Sequence, residues 1–396
     1  MKIVIIPSGF KECLSSEGVA KAMNNGIQRF DPNVETMVIP MIDGGEGFAH
    51  TIIKLKEGGE LIYREVIGPI GEKVRSHFGI FQENGKKTAV IEMAAVAGLT
   101  LIPRNKRNPL KTTTFGVGQL IKSALDLGVD DILIGCGDSG TSDGGAGMAE
   151  ALGVRFLDKY HQALNIGGGG GDLHSIENIN ISGIDPRLSK VKIDVACNWY
   201  NILCGPRGVA RVFAPPQKGA NPEEAEQLAH NLEYYAQLIL QQMEVDVRTT
   251  PGGGASGGLG AGLMAFTGAT LHPRFDIIMQ YIQLEEHIKN ADLVLTAEGC
   301  LDYQTPNGKI PAEVARIAGN LGVPVIAITG TIGGEGASIN YTNGIHAYTS
   351  IIQSPTSLEI AMKDASRLIA DSAEAAVRQI RIGYQMAKRK YKREII

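Results

Sequence analysis

Four glycine-rich segments hold most of the side chains in this chain that could do chemistry, and each follows a short apolar run. They are Asp43-Gly44-Gly45-Glu46-Gly47, Asp138-Ser139-Gly140-Thr141-Ser142-Asp143-Gly144-Gly145, Pro251-Gly252-Gly253-Gly254-Ala255-Ser256-Gly257-Gly258, and Thr296-Ala297-Glu298-Gly299. Glycine lets a backbone turn tightly and approach a ligand closely. Free N–H groups leading into a helix N-terminus make a seat for phosphate. A carboxylate beside such a seat can hold magnesium or accept a hydroxyl proton. With Lys11, Lys218 and Lys309 in similar settings, the pattern predicts an enzyme that handles a nucleoside triphosphate.

The segments differ in what they offer. Lys11, in Pro7-Ser8-Gly9-Phe10-Lys11, can reach a phosphate, or it is a solvated loop lysine. Asp43 and Glu46 suit a metal site or acid–base work, or they are an N-cap with a first-turn glutamate. The 138–147 loop is the best anion cradle: Ser139, Thr141 and Ser142 bring hydroxyls, Gly140, Gly144 and Gly145 bring N–H groups, and a helix is expected from about Ala146. Asp138 and Asp143 would repel a bare phosphate unless magnesium intervenes, so Asp143, with Asp43, is a candidate metal ligand. The 251–260 loop, with Gly253, Gly254 and Gly257, is similar but has no acid. Glu298, Asp302 and Lys309 are close enough for catalysis or for a surface ion pair of little worth. No GxxxxGK[ST] or GxGxxG pattern occurs, the eight His lack ligand spacing, and nothing marks Cys300 as a nucleophile.

The elements that must position these residues are short β-rich runs alternating with helical patterns. Ile3–Ile6 reads as a strand, followed by a helix with Val19, Met23, Ile27 and Phe30 on one face and Ser15 or Ser16 as N-cap. A strand at Thr36–Pro40 and a helix with Ile52, Ile53 and Leu55 continue a parallel α/β order. Residues 61–93 read instead as three antiparallel strands. Ile132–Ile134 delivers the second glycine loop, and Ala225 to Met243 is a long amphipathic helix. Gly167–Gly171 reads as a flexible loop tip. After residue 290 the βα rhythm returns: Leu293–Leu295 leads to a loop at Ala297-Glu298-Gly299, Val314 to Leu321 is helical, and a strand at Val323–Ile328 stops at Thr329-Gly330. A last helix runs from about Leu358, and its basic tail is a solvated helix end.

Composition sets wide bounds. Glycine is 50 of 396 residues, against about 7% in ordinary proteins. Net charge is −4 and 43% of residues are hydrophobic, which gives no general pull toward nucleic acid. No run suits a signal peptide or a membrane span. The odd count of five Cys fits reduced thiols in a cytoplasmic protein. The oligomeric state is not legible.

Taken in order, these segments resemble the bacterial glycerate kinase family, of the glycerate 2-kinase-like type 1, over nearly the whole chain. Its opening PDSFKGSLSA is Pro7-Ser8-Gly9-Phe10-Lys11-Glu12-Cys13-Leu14-Ser15-Ser16; its ADGGEGT is Ile42-Asp43-Gly44-Gly45-Glu46-Gly47-Phe48. Its GGSATNDGGAGML is Gly137-Asp138-Ser139-Gly140-Thr141-Ser142-Asp143-Gly144-Gly145-Ala146-Gly147-Met148. Its FGPQKGA is close to Phe213-Ala214-Pro215-Pro216-Gln217-Lys218-Gly219-Ala220, and TGEGRLDxQTxxGKxP matches Thr296 to Thr305, then Gly308-Lys309 and Pro311.

The resemblance implies an α/β fold: a Rossmann-like parallel-sheet domain from residues 1–70 and 290–396, an inserted α/β domain at 71–289, and an active site in the cleft between them. It implies phosphorylation of a hydroxyl of glycerate, to 2-phosphoglycerate by default, by ATP with Mg²⁺. The expected partners are a small hydroxy acid and a nucleotide, with no nucleic acid and no membrane. Lys11, Asp43, Glu298 and Asp302 are the expected catalytic residues. The 139–147 and 252–260 loops with Lys218 would take the nucleotide, and Ser8, Glu46, Asn198, Cys300 and Lys309 the acceptor. Departures are Ser8 for an aspartate, Cys300 for an arginine, Asn198-Trp199-Tyr200, which loses an acid and gains bulk, and, in the glycine loop, Asp138 for a glycine and Ser142 for an asparagine. They keep open a same-fold kinase for a larger acceptor, or a non-catalytic nucleotide- or metabolite-binding descendant.

Overall fold

The computed structural model describes residues 1–394 apart from 11–12, 42–43, 166–167, 307 and 335. Lys11 and Asp43 therefore lie outside the described residues. The chain divides into two compact units, Met1–Ile42 with Gln283–Ile396, and Asp43–Ile282.

Strand β1 (Lys2–Pro7) opens the first unit with its isoleucines and valine fully buried, each worth about 2 kcal/mol of burial. Helix Ser16–Phe30 follows, and the Ser15 hydroxyl accepts the Gly18 N–H at 3.2 Å. That bond satisfies one of the donors a helix start leaves open. The face Val19, Met23 and Ile27 is buried. Strand β2 (Glu35–Val38) completes the first leg.

In the second unit, β3 (Glu60–Ile67), β4 (Lys73–Glu83) and β5 (Lys86–Glu92) form the expected antiparallel run. Strand β6 (Asp131–Cys136) then pairs parallel to β5. A small ribbon of β7 (Arg155–Leu157) and β8 (Asn178–Asn180) precedes β9 (Lys192–Cys197) and β10 (Thr270–Pro273), which finish the sheet in the order β10-β9-β6-β5-β4-β3. The long helix Pro222–Met243 starts with a capping box of Asn221 and Glu224.

The chain returns to the first unit with β11 (Leu293–Leu301), β12 (Val325–Ile332) and β13 (Ala347–Ser350). All neighbours in its sheet, β13-β12-β11-β1-β2, are parallel, so both faces need helices. Helix Ser16–Phe30 packs against helix Ala365–Glu394. Gly26 permits this approach, since a Cβ there would lie 2.0 Å from the Ala370 carbonyl oxygen.

Four local expectations need correction. Ala297-Glu298-Gly299 is strand rather than loop, because β1 and β12 pair with β11 on both sides. Strand β12 likewise continues through Gly330 to Ile332. The last helix is two, Leu358–Lys363 and Ala365–Glu394, interrupted at Asp364. Gly170 and Gly171 are not a flexible tip. They begin a 3-10 turn, Gly170–Ser175, whose carbonyls accept Asn231 Nδ2 at 3.0 and 2.9 Å, and Gly170 is buried. Gly167 lies outside the described residues.

Candidate active site

In the second unit the loop after β6 is held from within. Asp143 is fully buried. Its Oδ2 accepts the Thr114 N–H (2.7 Å), the Thr114 hydroxyl (2.8 Å) and the Gly147 N–H (3.2 Å), and its Oδ1 accepts the Gly145 N–H (3.1 Å). Burial pushes this carboxyl upward in pKa, opposed by the Thr114 and glycine donors. The helix Ala146–Ala151 begins where the sequence placed it.

Lys218 ends helix Val209–Lys218 and is 4% exposed. Its ammonium donates to Ser139 Oγ (2.9 Å), the Thr141 carbonyl (2.5 Å) and Ser142 Oγ (3.4 Å). Burial pulls its pKa down to about 7, partly offset by Asp143. The Thr141 hydroxyl is buried without a hydrogen-bond partner. Ser139 is half-buried and Asp138 exposed, so this edge of the loop is the accessible one.

The fold also joins two of the glycine segments. Residues 255–267 form a helix whose Ser256, Gly257 and Gly258 are left-handed. A Cβ on Gly257 would lie 2.0 Å from the Thr141 carbonyl oxygen, and the Gly144 N–H donates to the Gly257 carbonyl at 3.1 Å. The expectation of free N–H groups needs revising here. The N–H groups of Gly140, Gly144, Gly253 and Gly254 donate to Ala97, Gly257, Thr250 and Asn201 carbonyls. Buried backbone donors must be paired, so these glycines serve close loop-on-loop packing. Asn198 lies in a turn after β9 whose Oδ1 accepts the Tyr200 N–H, and the Trp199 carbonyl accepts the Gly252 N–H. Tyr200 is 85% exposed.

The Gly44–Gly47 loop sits in the same unit. The Glu46 N–H donates to Asp138 Oδ2 (3.0 Å), and Glu46 Oε1 accepts the Thr100 hydroxyl (2.7 Å). The sequence did not single out two residues that order these loops, Thr114 and Glu92. The signal for Glu92 was a lone acid ending the apolar run Ala89-Val90-Ile91.

The first unit assembles the other acids. Glu298 on β11 is 6% exposed, with the Thr305 hydroxyl donating to Oε1 at 2.7 Å and Lys309 Nζ 3.3 Å from Oε2. Lys309 also donates to Asp302 Oδ1 (2.9 Å) and the Cys300 carbonyl (3.3 Å). Burial pushes Glu298 up in pKa. Asp302 is held down: slight burial is outweighed by Lys309 and the Gln304 N–H. Lys309 is raised, its desolvation outweighed by the two acids. The Ser8 hydroxyl donates to the Ala297 carbonyl at 2.8 Å, next to Glu298 in the chain. Thus Ser8, Glu298, Cys300, Asp302 and Lys309 gather at the ends of β1 and β11.

Among the described residues no group of three or more His, Cys, Asp or Glu could hold a metal by itself. Magnesium needs only one or two carboxylates when phosphates and water supply the rest, but the expectation of Asp143 as one of them needs correction, because it is fully buried and its two oxygens already accept four protein donors. No described helix is long and apolar enough to cross a membrane.

Parallel strands followed by acid-bearing glycine loops place the chain among α/β proteins, a class whose ligands commonly bind at the strand C-termini. The chain belongs to the glycerate kinase family, whose model matches residues 3–381. It is 43% identical over 371 residues to a glycerate kinase of Halalkalibacterium halodurans, covering 94% of this chain and 96% of that one. It is 42% identical over 387 residues to glycerate 2-kinase of Escherichia coli, covering 98% and 100%. A crystal structure of a protein assigned as glycerate kinase 2 from Salmonella typhimurium LT2 superimposes with a TM-score of 0.80 at 41% identity, covering 97% and 99%.

Proposed function

We propose that this protein is a kinase that transfers the γ-phosphoryl group of ATP to the 2-hydroxyl of glycerate. The observation that carries this reading is the 42% identity to a glycerate 2-kinase along 98% of the chain. The relatives reported above are glycerate kinases, and neither a larger acceptor nor a non-catalytic descendant has a finding behind it.

The chemistry of the residues fits. The acceptor oxygen forms a bond to the γ-phosphorus as the bond to the ADP oxygen breaks, and the hydroxyl proton must leave. Asp43 is the proposed acceptor of that proton or a magnesium ligand, while Asp143, buried with both oxygens accepting protein donors, keeps its loop in shape. Mg²⁺, when bound, neutralises charge on the phosphate oxygens. Lys11 would meet phosphate oxygens. The accessible edge at Ser139, braced by Lys218, would receive nucleotide phosphate, and Gly140, Thr141, Gly144, Gly145, Gly253, Gly254 and Gly257 would support that edge through loop packing. Lys309, held between Glu298 and Asp302, would meet the carboxylate of glycerate, alongside Ser8, Glu46, Asn198 and Cys300.

The test is a coupled ADP-release assay with D-glycerate, L-glycerate and a panel of hydroxy acids, sugars and polyols. D-Glycerate should give magnesium-dependent turnover and 2-phosphoglycerate as product. Absence of ADP release with glycerate, or preference for another acceptor, would overturn the reading.

A further inference from the structure

Glu92 is absent from every role assigned above, yet it is 4% exposed at the end of β5. Its Oε1 accepts the Gly47 N–H at 3.0 Å and its Oε2 accepts the Ala49 N–H at 3.1 Å. Both donors belong to the turn from the Gly44–Gly47 loop into helix Phe48–Lys54. Gly47, left-handed at φ 84°, provides no side-chain cap for that helix. A residue from a neighbouring strand thus supplies the cap that the local sequence lacks.

The other side of the loop is closed by backbone. A Cβ on Gly137 would lie 2.7 Å from Gly45 Cα, one on Gly135 2.6 Å from the Phe48 ring, and one on Gly44 3.2 Å from the Ala196 carbonyl oxygen. The loop therefore rests on the ends of β6 and β9 while Glu92 draws its far end toward β5. Burying a carboxylate is costly unless it is fully hydrogen-bonded. An apolar side chain would fill the same space but leave two N–H groups unpaired. Burial pushes the Glu92 carboxyl up in pKa, the two N–H groups pull it back, and the nearby Glu46 and Asp138 charges push it further up.

We infer that Glu92 is a positioning residue for phosphoryl transfer: it holds the Gly44–Gly47 loop, and with it the acid Glu46, in the arrangement the reaction uses. This rests on the kinase reading. Transfer depends on placement to within a fraction of an ångström, so a loosened loop lowers the chemical step more than it lowers nucleotide binding.

The experiment is Glu92→Gln, which keeps shape but turns one acceptor oxygen into a donor. Three readouts are compared with wild type: kcat and nucleotide KM per folded enzyme, and deuterium uptake of the peptide spanning 44–52. The expected result is a kcat lower by about tenfold or more with nucleotide KM roughly unchanged, and faster uptake in that peptide. Wild-type kcat in folded Glu92→Gln overturns the inference, and so does a fall in kcat with unchanged uptake. Should Glu92→Gln fail to fold, Glu92→Asp, shorter but still charged, is judged by the same readouts. Wild-type protein inactive on glycerate would sink the kinase reading. Uptake would then decide separately whether Glu92 holds the loop, unchanged uptake overturning that hold.

Discussion

The ammonium of Lys218 lies 2.9 Å from the hydroxyl oxygen of Ser139, a residue 79 positions earlier in the chain. The bond fastens the end of one helix to the loop after β6, inside a region where the lysine is almost fully buried. Lys218 is thereby a brace behind the accessible edge of that loop, and under the proposed function it would act on a nucleotide through Ser139.

Lys218→Met should leave the protein folded but weaken nucleotide binding by about tenfold, roughly 1.4 kcal/mol. Thermal shift with ATP and ADP, with and without magnesium, measures it. The pH dependence has a definite sign. The folded lysine releases its proton near pH 7, while the unfolded chain keeps its proton up to the ordinary lysine value of 10.5. The unfolded state then binds more protons in that window, so stability rises with pH from about 7 to 10, by at most about 1.4 kcal/mol per pH unit. Lys218→Met should flatten that rise in denaturant titrations.

Asp43→Asn should cut kcat by about 10²–10⁴-fold, the range for losing a general base, with an unchanged circular dichroism spectrum. Near-normal turnover in the folded variant would remove Asp43 from the chemistry.

Lys309→Met removes the cation that lies 3.3 Å from Glu298 and 2.9 Å from Asp302. Burial already pushes Glu298 up, and Lys309 opposes it. Without the lysine the carboxyl rises further, so activity that needs the carboxylate moves to higher pH. A pH–rate profile should show its acid limb displaced upward and glycerate KM increased. A superimposable profile would mean that Glu298 is not a group the rate depends on.

Gly257→Ala combines a left-handed backbone with a Cβ 2.0 Å from the Thr141 carbonyl oxygen. The expected cost is about 2–4 kcal/mol, or roughly 5–15 °C in melting temperature. Scanning calorimetry checks it, and a loss within a degree would show that the two loops can separate freely.

Cys300→Arg restores the residue found in the related motif, next to Glu298 and Asp302. Arginine clamps a carboxylate through two parallel hydrogen bonds. Glycerate kcat/KM should rise by about tenfold if the clamp is what this chain lacks. No change would show that Lys309 and its neighbours suffice for the acid.

Much of the fold was legible because its signals are local. The buried run Ile3–Ile6, the Ser15 cap with its 3.6-residue stripe, and the turn-separated strands of residues 61–93 each follow from a few adjacent side chains. The site was legible as residue types in order: hydroxyls, acids and lysines in glycine-rich settings. Tertiary structure decided how those glycines are used. Ala297-Glu298-Gly299 is strand because two neighbours pair with it, and Gly144 and Gly257 face one another because two distant loops stack. It also decided that Lys218 is a buried brace and that Glu92 caps another element. Hydrogen-bond partners 40 to 80 residues apart leave no periodic trace in the chain. Sequence alone thus determined which elements form and which chemical groups they carry. The meeting of distant backbones, which only the folded chain brings about, decided which of those groups lie at an accessible edge and which hold the loops in place.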